Sequence, residues 1–273
     1  MVRTGLLAGS IIPSALRGAA TGALNLSWQD GINTMMETVG DLGLRSAGVK
    51  LVVKGEDNMW NARPAVFLFN HQSSTDLFIM AKLLRKDATG VAKKELRYSP
   101  LGPLMMAAGI VFIDRGDRKK AIESMDNATE TLRNGISIAV APEGTRSYDY
   151  KLGEFKKEAF HIAMQAGVPV VPVVIKNAHD AMPRGASVVR STAVEVVVLP
   201  AVPTDGWHVD TLDERIQEVR TLYLNELGQV EPSKPEPTSP KADSAPSDEI
   251  SESDLIGSPK YSNGTAKINR PEA

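Results

Sequence analysis

From residue 49 onward, short apolar runs alternate with longer stretches in which apolar residues return at helical spacing. The apolar runs predict strands at 49–53, 65–69, 90–92, 110–113, 136–140, 170–175 and 194–199. The 3.6-residue periodicity predicts helices at 77–84, 117–133, 157–165 and 212–227. Residues 95–108 look helical at both ends and are broken by Pro100 and Pro103. Asn134-Gly135 and Gly167 are stop signals for the helices that precede them. This alternation predicts an α/β domain over 49–230, with a largely parallel sheet flanked by helices. In such sheets the working residues sit on loops at the carboxyl ends of strands.

The two flanks read differently. In the N-terminal segment, 1–48, the positions Ile32, Met35, Met36, Val39 and Leu42 mark a helix. Ahead of it, Arg3 and Arg17 bracket 13 uncharged residues, and Arg17 and Asp30 bracket another 12. A spanning helix needs about 20 mostly apolar residues, so neither run is long enough. Residues 6–16 follow a basic residue as a secretory signal would, but no cleavage site follows them. Three readings remain for this segment: a Gly/Ala-rich surface helix, a helical membrane-docking segment lying in the lipid interface, or, least favoured, a true transmembrane span. At the other end, 231–273 holds 7 of the 17 prolines and 8 serines, with no hydrophobic period, and is expected to be a disordered tail.

Composition narrows the function classes. Hydrophobic residues at 42% and charged residues at 23% fit a globular protein. Of 31 basic and 33 acidic side chains, the tail takes 5 and 8, leaving 26 and 25 for 1–230. Near-balance of this kind lacks the basic excess of a nucleic-acid binder. The chain has no cysteine, which excludes disulfides, thiolate metal sites and a cysteine nucleophile.

Three loops that follow predicted strands carry candidate chemistry. The first is Asn70-His71-Gln72-Ser73-Ser74-Thr75-Asp76. A carboxylate five residues after a histidine, across a helix start, can fix the imidazole tautomer and leave the other nitrogen as a general base. The competing reading has Ser74 or Thr75 capping the next helix, Asp76 favourably placed in its first turn, and His71 incidental. The second loop, Asp114-Arg115-Gly116-Asp117-Arg118, offers Arg115 either as a fork for phosphate or as a solvated turn charge. The third, Ala141-Pro142-Glu143-Gly144-Thr145-Arg146-Ser147, combines a glycine, two hydroxyls and a fixed cation, which suits an anionic ester, or is an ordinary Pro-Glu-Gly turn. His161, His179 and His208 have no acid at a comparable spacing and read as ordinary histidines.

Taken in order, the first loop, Gly109-Ile110-Val111-Phe112-Ile113-Asp114-Arg115, Pro142-Glu143-Gly144-Thr145-Arg146-Ser147, and Val168-Pro169-Val170-Val171-Pro172-Val173-Val174 form four blocks. This pattern closely resembles the signature of the glycerolipid acyltransferases, above all the 1-acyl-glycerol-3-phosphate O-acyltransferases. Ala92-Lys93-Lys94-Glu95-Leu96, Pro100-Leu101-Gly102 and Phe155-Lys156-Lys157 through Ala159-Phe160 extend the match, which runs from about residue 49 to 175.

The resemblance implies direct acyl transfer without an acyl-enzyme. His71, oriented by Asp76, would take the proton of the glycerol hydroxyl, whose oxygen attacks the acyl thioester. Arg115, and Glu143, Gly144, Thr145 and Arg146, match the blocks that hold the acceptor's phosphate, with Lys93 as a basic position nearby. The valine-proline block reads as core strand. Glu158 departs from the glycine that many relatives have after the paired lysines, which puts a phosphate role for Lys157 in doubt. No metal and no cofactor is implied; acyl-CoA, or acyl carrier protein in its place, is the co-substrate. The implied partners are lysophosphatidic acid and a membrane surface, with no nucleic acid. The implied location is the cytoplasmic face of a membrane, as a peripheral or monotopic protein making phosphatidic acid in phospholipid biosynthesis. The rivals are an acyltransferase of glycerol-3-phosphate or another lysophospholipid, a non-catalytic lipid-binding relative, and a hydrolase using the same pair.

Overall fold

The structure, a computed structural model, describes residues 2–99, 102–114, 118–147 and 149–230. The tail at 231–273 and Arg115 lie outside the described residues. Three helices open the chain: α1 (Val2–Gly9), α2 (Ile11–Asn25) and α3 (Trp28–Ala47). There follow β1 (Val49–Lys54), α4 (Asp57–Asn61), β2 (Val66–Phe69), α5 (Asp76–Leu84) and β3 (Ala88–Lys93). A 3-10 turn at Lys94–Tyr98 leads to α6 (Gly102–Ala107), β4 (Val111–Ile113), α7 (Arg118–Arg133) and β5 (Ser137–Val140). The chain continues through α8 (Glu158–Ala166), β6 (Val170–Ile175), α9 (Ala178–Ala181) and β7 (Thr192–Val198) to α10 (Leu212–Leu227).

The strands form one sheet in the order β1-β7-β6-β2-β5-β3-β4. The five strands from β6 to β4 run parallel. β7 is antiparallel to β6 and parallel to β1, so the last two strands run the other way. Residues 176–191, which include α9, connect β6 to β7 and bring β7 back antiparallel to it. α4 and α9 are too short to show a period, and the sequence pattern does not reveal them. Residues 95–108 resolve into the 3-10 turn and a short α6 with Pro103 in its first turn, where a missing N–H costs nothing.

Strands buried on both faces explain the continuous apolar runs. All six residues of β6 are buried, as are the four of β2. Phe67, Phe69, Val171, Val173 and Ile175 pack with Leu44, Ile79, Met80 and Leu83 of α3 and α5. α8 and α10 supply further buried side chains, among them Phe160, Ile216 and Tyr223. Pro172 faces Leu68 in the ladder and has no N–H to give it. The buried Tyr223 hydroxyl donates to Leu68 O at 2.6 Å and accepts from Val173 N at 3.2 Å, bridging the two central strands. Burial pushes the Tyr223 hydroxyl well above its ordinary pKa, so it stays a donor.

The N-terminal helices belong to the same compact unit as the sheet. They meet through glycines. A Cβ on Gly18 would lie 2.6 Å from Gly31 O, and one on Gly40 would lie 2.4 Å from Lys82 N, so α2 on α3 and α3 on α5 approach closer than any side chain allows. Ser27 caps α3 by accepting from Asp30 N at 3.2 Å.

Candidate active site

β6, β2 and β5 are adjacent and parallel, so their carboxyl ends open on one edge of the sheet. The loop after β2 carries His71, the loop after β5 carries Arg146, and α9 follows β6. The first loop is fixed at its root by Asn70. Its side chain accepts from Ile175 N at 2.7 Å and donates to Ile175 O at 2.9 Å, which bolts the end of β2 to the end of β6.

Asp76, the first residue of α5, is fully buried. One oxygen, Oδ2, lies 2.8 Å from His71 Nδ1 and accepts from Gln72 N and Ser73 N, each at 2.8 Å. Two backbone N–H groups already point at this oxygen, so it acts as an acceptor, and the contact with the ring is a hydrogen bond with Nδ1 as donor. The His71 side chain is 21% exposed. It also meets Phe69 edge-on, with ring centroids 5.8 Å apart. Of the two readings of this loop, the capping one has no geometry behind it. Thr75 makes no side-chain capping bond, and the Ser74 hydroxyl accepts from Arg146 Nη1 at 2.6 Å.

The third loop starts with a tight turn, Gly144 N donating to Ala141 O at 3.0 Å. Pro142 is its second residue and Gly144, at φ 69°, its last, the residue pattern such turns favour. The loop docks on the first, because Ser147 N donates to His71 O at 2.9 Å. Glu143 points inward. Its two oxygens accept from His71 N at 2.7 Å and Gly153 N at 2.9 Å. Burial raises its pKa above the ordinary carboxylate range, and those two N–H donors pull it back only in part. Behind it, the buried Arg220 of α10 donates to Gly153 O at 3.0 Å. Glu143 therefore holds loops together, while Thr145 is exposed and Arg146 half-buried on the open side.

Lys93 is exposed at the end of β3, one strand beyond β5. Its neighbour Lys94 pairs with Asp114 at 2.6 Å, and that hydrogen bond raises the Lys94 pKa. Lys157 pairs with Asp213 at 3.0 Å. Three residues that the blocks do not include also join the edge. His179 Nδ1 lies 3.1 Å from Gln72 Oε1, and its ring stacks on Tyr150 with centroids 4.1 Å apart. Arg184 Nη1 donates to Arg146 O. For His179 the only signal in the sequence is its place just past the carboxyl end of a strand. His161 is buried in α8 and His208 is exposed, both outside these contacts.

A family model described as acyltransferase matches residues 50–176 of this chain. The chain is 34% identical over 191 residues to the 1-acyl-sn-glycerol-3-phosphate acyltransferase of Limnanthes alba, covering 69% of this chain and 67% of that protein. It is 35% identical over 179 residues to the alpha form of that enzyme from Homo sapiens, covering 65% and 63%. The chain belongs to the 1-acyl-sn-glycerol-3-phosphate acyltransferase family. The fold is shared with the crystal structure of the 1-acyl-sn-glycerophosphate acyltransferase of Thermotoga maritima, at a TM-score of 0.65 and 24% identity, over 79% of this chain and 86% of that one.

Proposed function

We propose that the protein transfers an acyl chain from acyl-CoA to the free hydroxyl of 1-acyl-glycerol-3-phosphate, forming phosphatidic acid at a membrane surface. One observation carries the reading: His71 Nδ1 sits 2.8 Å from the buried Asp76 carboxylate, which leaves Nε2 as a base on the open edge of the sheet. In the reaction Nε2 accepts the hydroxyl proton as the glycerol oxygen attacks the thioester carbonyl. The tetrahedral adduct then breaks its C–S bond. The thiolate of coenzyme A leaves and takes the proton back from the imidazolium, so the base is regenerated with no acyl-enzyme. Asp76 steadies the imidazolium while it exists.

Arg146 binds the acceptor phosphate in this reading. One of its five N–H donors is engaged with Ser74, and the rest of the planar fork suits phosphate oxygens. Gly144 and Thr145 lie on the same loop and Lys93 one strand away, and Arg115 is retained as a phosphate ligand on the match of its block alone. Glu143 serves by position rather than contact, since both its oxygens are taken by backbone N–H groups. No cofactor is needed for these steps.

Membrane docking fits the N-terminal helices. Among the described residues no helix is long and apolar enough to cross a membrane. Ile12, Leu16, Leu24, Leu26 and Trp28 are nevertheless exposed, Leu16 at 68% and Trp28 at 70%. An apolar, solvent-facing patch of this kind suits a lipid interface. The test is acyl transfer from acyl-CoA, with lysophosphatidate, glycerol-3-phosphate and lysophosphatidylcholine offered side by side and acyl carrier protein thioester as a second donor. Phosphatidic acid from lysophosphatidate is the expected product. Preferred acylation of another acceptor, or release of free fatty acid, would overturn the reading.

A further inference from the structure

The crossover from β6 to β7 belongs to none of the four blocks, yet it closes on two of the site's loops. His179 Nδ1 lies 3.1 Å from Gln72 Oε1, Ser73 Oγ donates to Met182 O at 2.8 Å, and Arg184 Nη1 donates to Arg146 O. The crossover is itself braced. Ala186 N donates to Pro183 O at 3.0 Å and Gly185, the third residue of that turn, has φ 81°, as a type II turn requires. Arg190 N donates to Ala181 O at 2.8 Å, and the Thr4 hydroxyl of α1 donates to Ser187 O at 2.8 Å while accepting from Val189 N at 3.0 Å. Arg184 therefore projects from a fixed backbone.

The carbonyl it grips belongs to the same peptide group as Ser147 N, which donates to His71 O at 2.9 Å. That peptide group is held from both sides, by Arg184 and by the His71 loop. The Arg146 side chain departs from it toward Ser74. We propose that Arg184 is a positioning residue for acceptor binding: by holding the Arg146 carbonyl it sets the backbone from which the Arg146 guanidinium reaches the acceptor's phosphate. The proposal rests on the assignment of Arg146 to that phosphate. Loss of the anchor leaves that peptide group held only on its N–H side, by the His71 carbonyl, and Arg146 then has to be ordered at the moment of binding. The cost falls on the acceptor and not on the thioester.

The experiment measures Michaelis constants for lysophosphatidate and for acyl-CoA separately, in wild type, Arg184→Ala, Arg146→Ala and the double variant. Arg184→Ala should raise the acceptor constant about tenfold, the scale of one lost charge-assisted hydrogen bond, and leave the donor constant unchanged. In the Arg146→Ala background the same change should add little, because a residue acting through Arg146 has nothing left to position. If Arg184→Ala fails to fold, Arg184→Met, which keeps the apolar stem, takes its place. The inference is overturned if the acceptor constant is unmoved, if both constants rise together, or if the two substitutions are additive. An acceptor constant unmoved by Arg146→Ala itself would overturn the phosphate assignment as well.

Discussion

The N-terminal helix pair and the carboxyl edge of the sheet are built on opposite principles. At the sheet edge, polar groups are buried and hydrogen-bonded into the loops, although Asp76 Oδ1 has no hydrogen-bond partner among the described residues. Asp76, Asn70, Ser73 and Glu143 are all buried, and each holds a neighbouring loop or strand through hydrogen bonds of 2.7–2.9 Å. Where α2 meets α3 the small residues face inward, Gly18 and Gly31 being buried, while Leu16 of α2 and Trp28 at the start of α3 are exposed. Order at the first site comes from directional bonds that place a reactive atom. Order at the second comes from close backbone contact, which leaves the large side chains free for another apolar phase. In the proposed function the first region does the chemistry and the second docks on the membrane, so the proposal predicts that each can be disturbed without the other.

The largest effect belongs to the dyad. His71→Ala should abolish transfer, and Asp76→Asn should lower turnover by roughly 10^4-fold, the scale seen when a base loses its orienting carboxylate. Both variants should still bind vesicles as wild type does. Steady-state kinetics alongside a vesicle pull-down reads both halves, and near-normal turnover by folded His71→Ala protein would falsify the proposed mechanism.

Next comes the docking face. Ile12→Asp with Leu16→Asp places charge where two exposed apolar side chains now stand. Each apolar side chain is worth about 1.5–3 kcal/mol when fully transferred from water, so affinity for lipid vesicles should fall on the order of 100-fold for the pair. Turnover of a monodisperse short-chain acceptor should stay at the wild-type level. If that turnover falls in step with vesicle binding, the two halves are not separable.

A third effect is on stability. Gly18→Leu puts carbon where Gly31 O and Met35 Cβ would be 2.6 and 2.8 Å away, so α2 must lift off α3. Overpacking typically costs about 1–3 kcal/mol, to be read as a lowered midpoint in denaturant with the β6–β2–β5 edge still assembled. A variant as stable as wild type would mean that close backbone contact does not hold the pair together.

The two halves were not equally legible in the sequence. The central strands announce themselves because burial on both faces writes uninterrupted apolar runs such as Val66–Phe69 and Val170–Ile175. His71 and Asp76 were legible because the loop that joins a strand to its next helix is short, so partners in space are neighbours in the chain. Arg184 was not: its contact to Arg146 spans 38 positions, and no spacing rule reaches that far. The match of its block groups Glu143 with the phosphate ligands; only the geometry shows its carboxylate turned inward onto His71 N and Gly153 N. In the N-terminal helices the apolar pattern was visible, but periodicity tells which residues share a face and not whether that face meets protein or lipid.

The smallest effect tests whether the buried polar half holds its order at an electrostatic cost. Glu143 is held in the fold with its pKa above the usual 4.5, chiefly because burial disfavours its charge. A group whose folded pKa is raised keeps its full contribution to stability below the unfolded value and loses it as pH rises through the folded value. The contribution of Glu143 to wild-type stability should therefore decline between about pH 4.5 and the raised pKa, and level off above it. Glu143→Gln cannot ionise, so the difference between the two proteins should narrow across that window. The substitution has its own penalty, because an amide offers one acceptor oxygen to the two N–H groups of His71 and Gly153 and turns an NH2 toward one of them. Gln should thus be less stable than wild type at low pH, with the gap shrinking as pH rises. Chemical denaturation at several pH values measures both slopes. Parallel lines would mean that Glu143 is charged at no cost, and the buried carboxylate would then be as cheap to keep as the exposed leucines of α2.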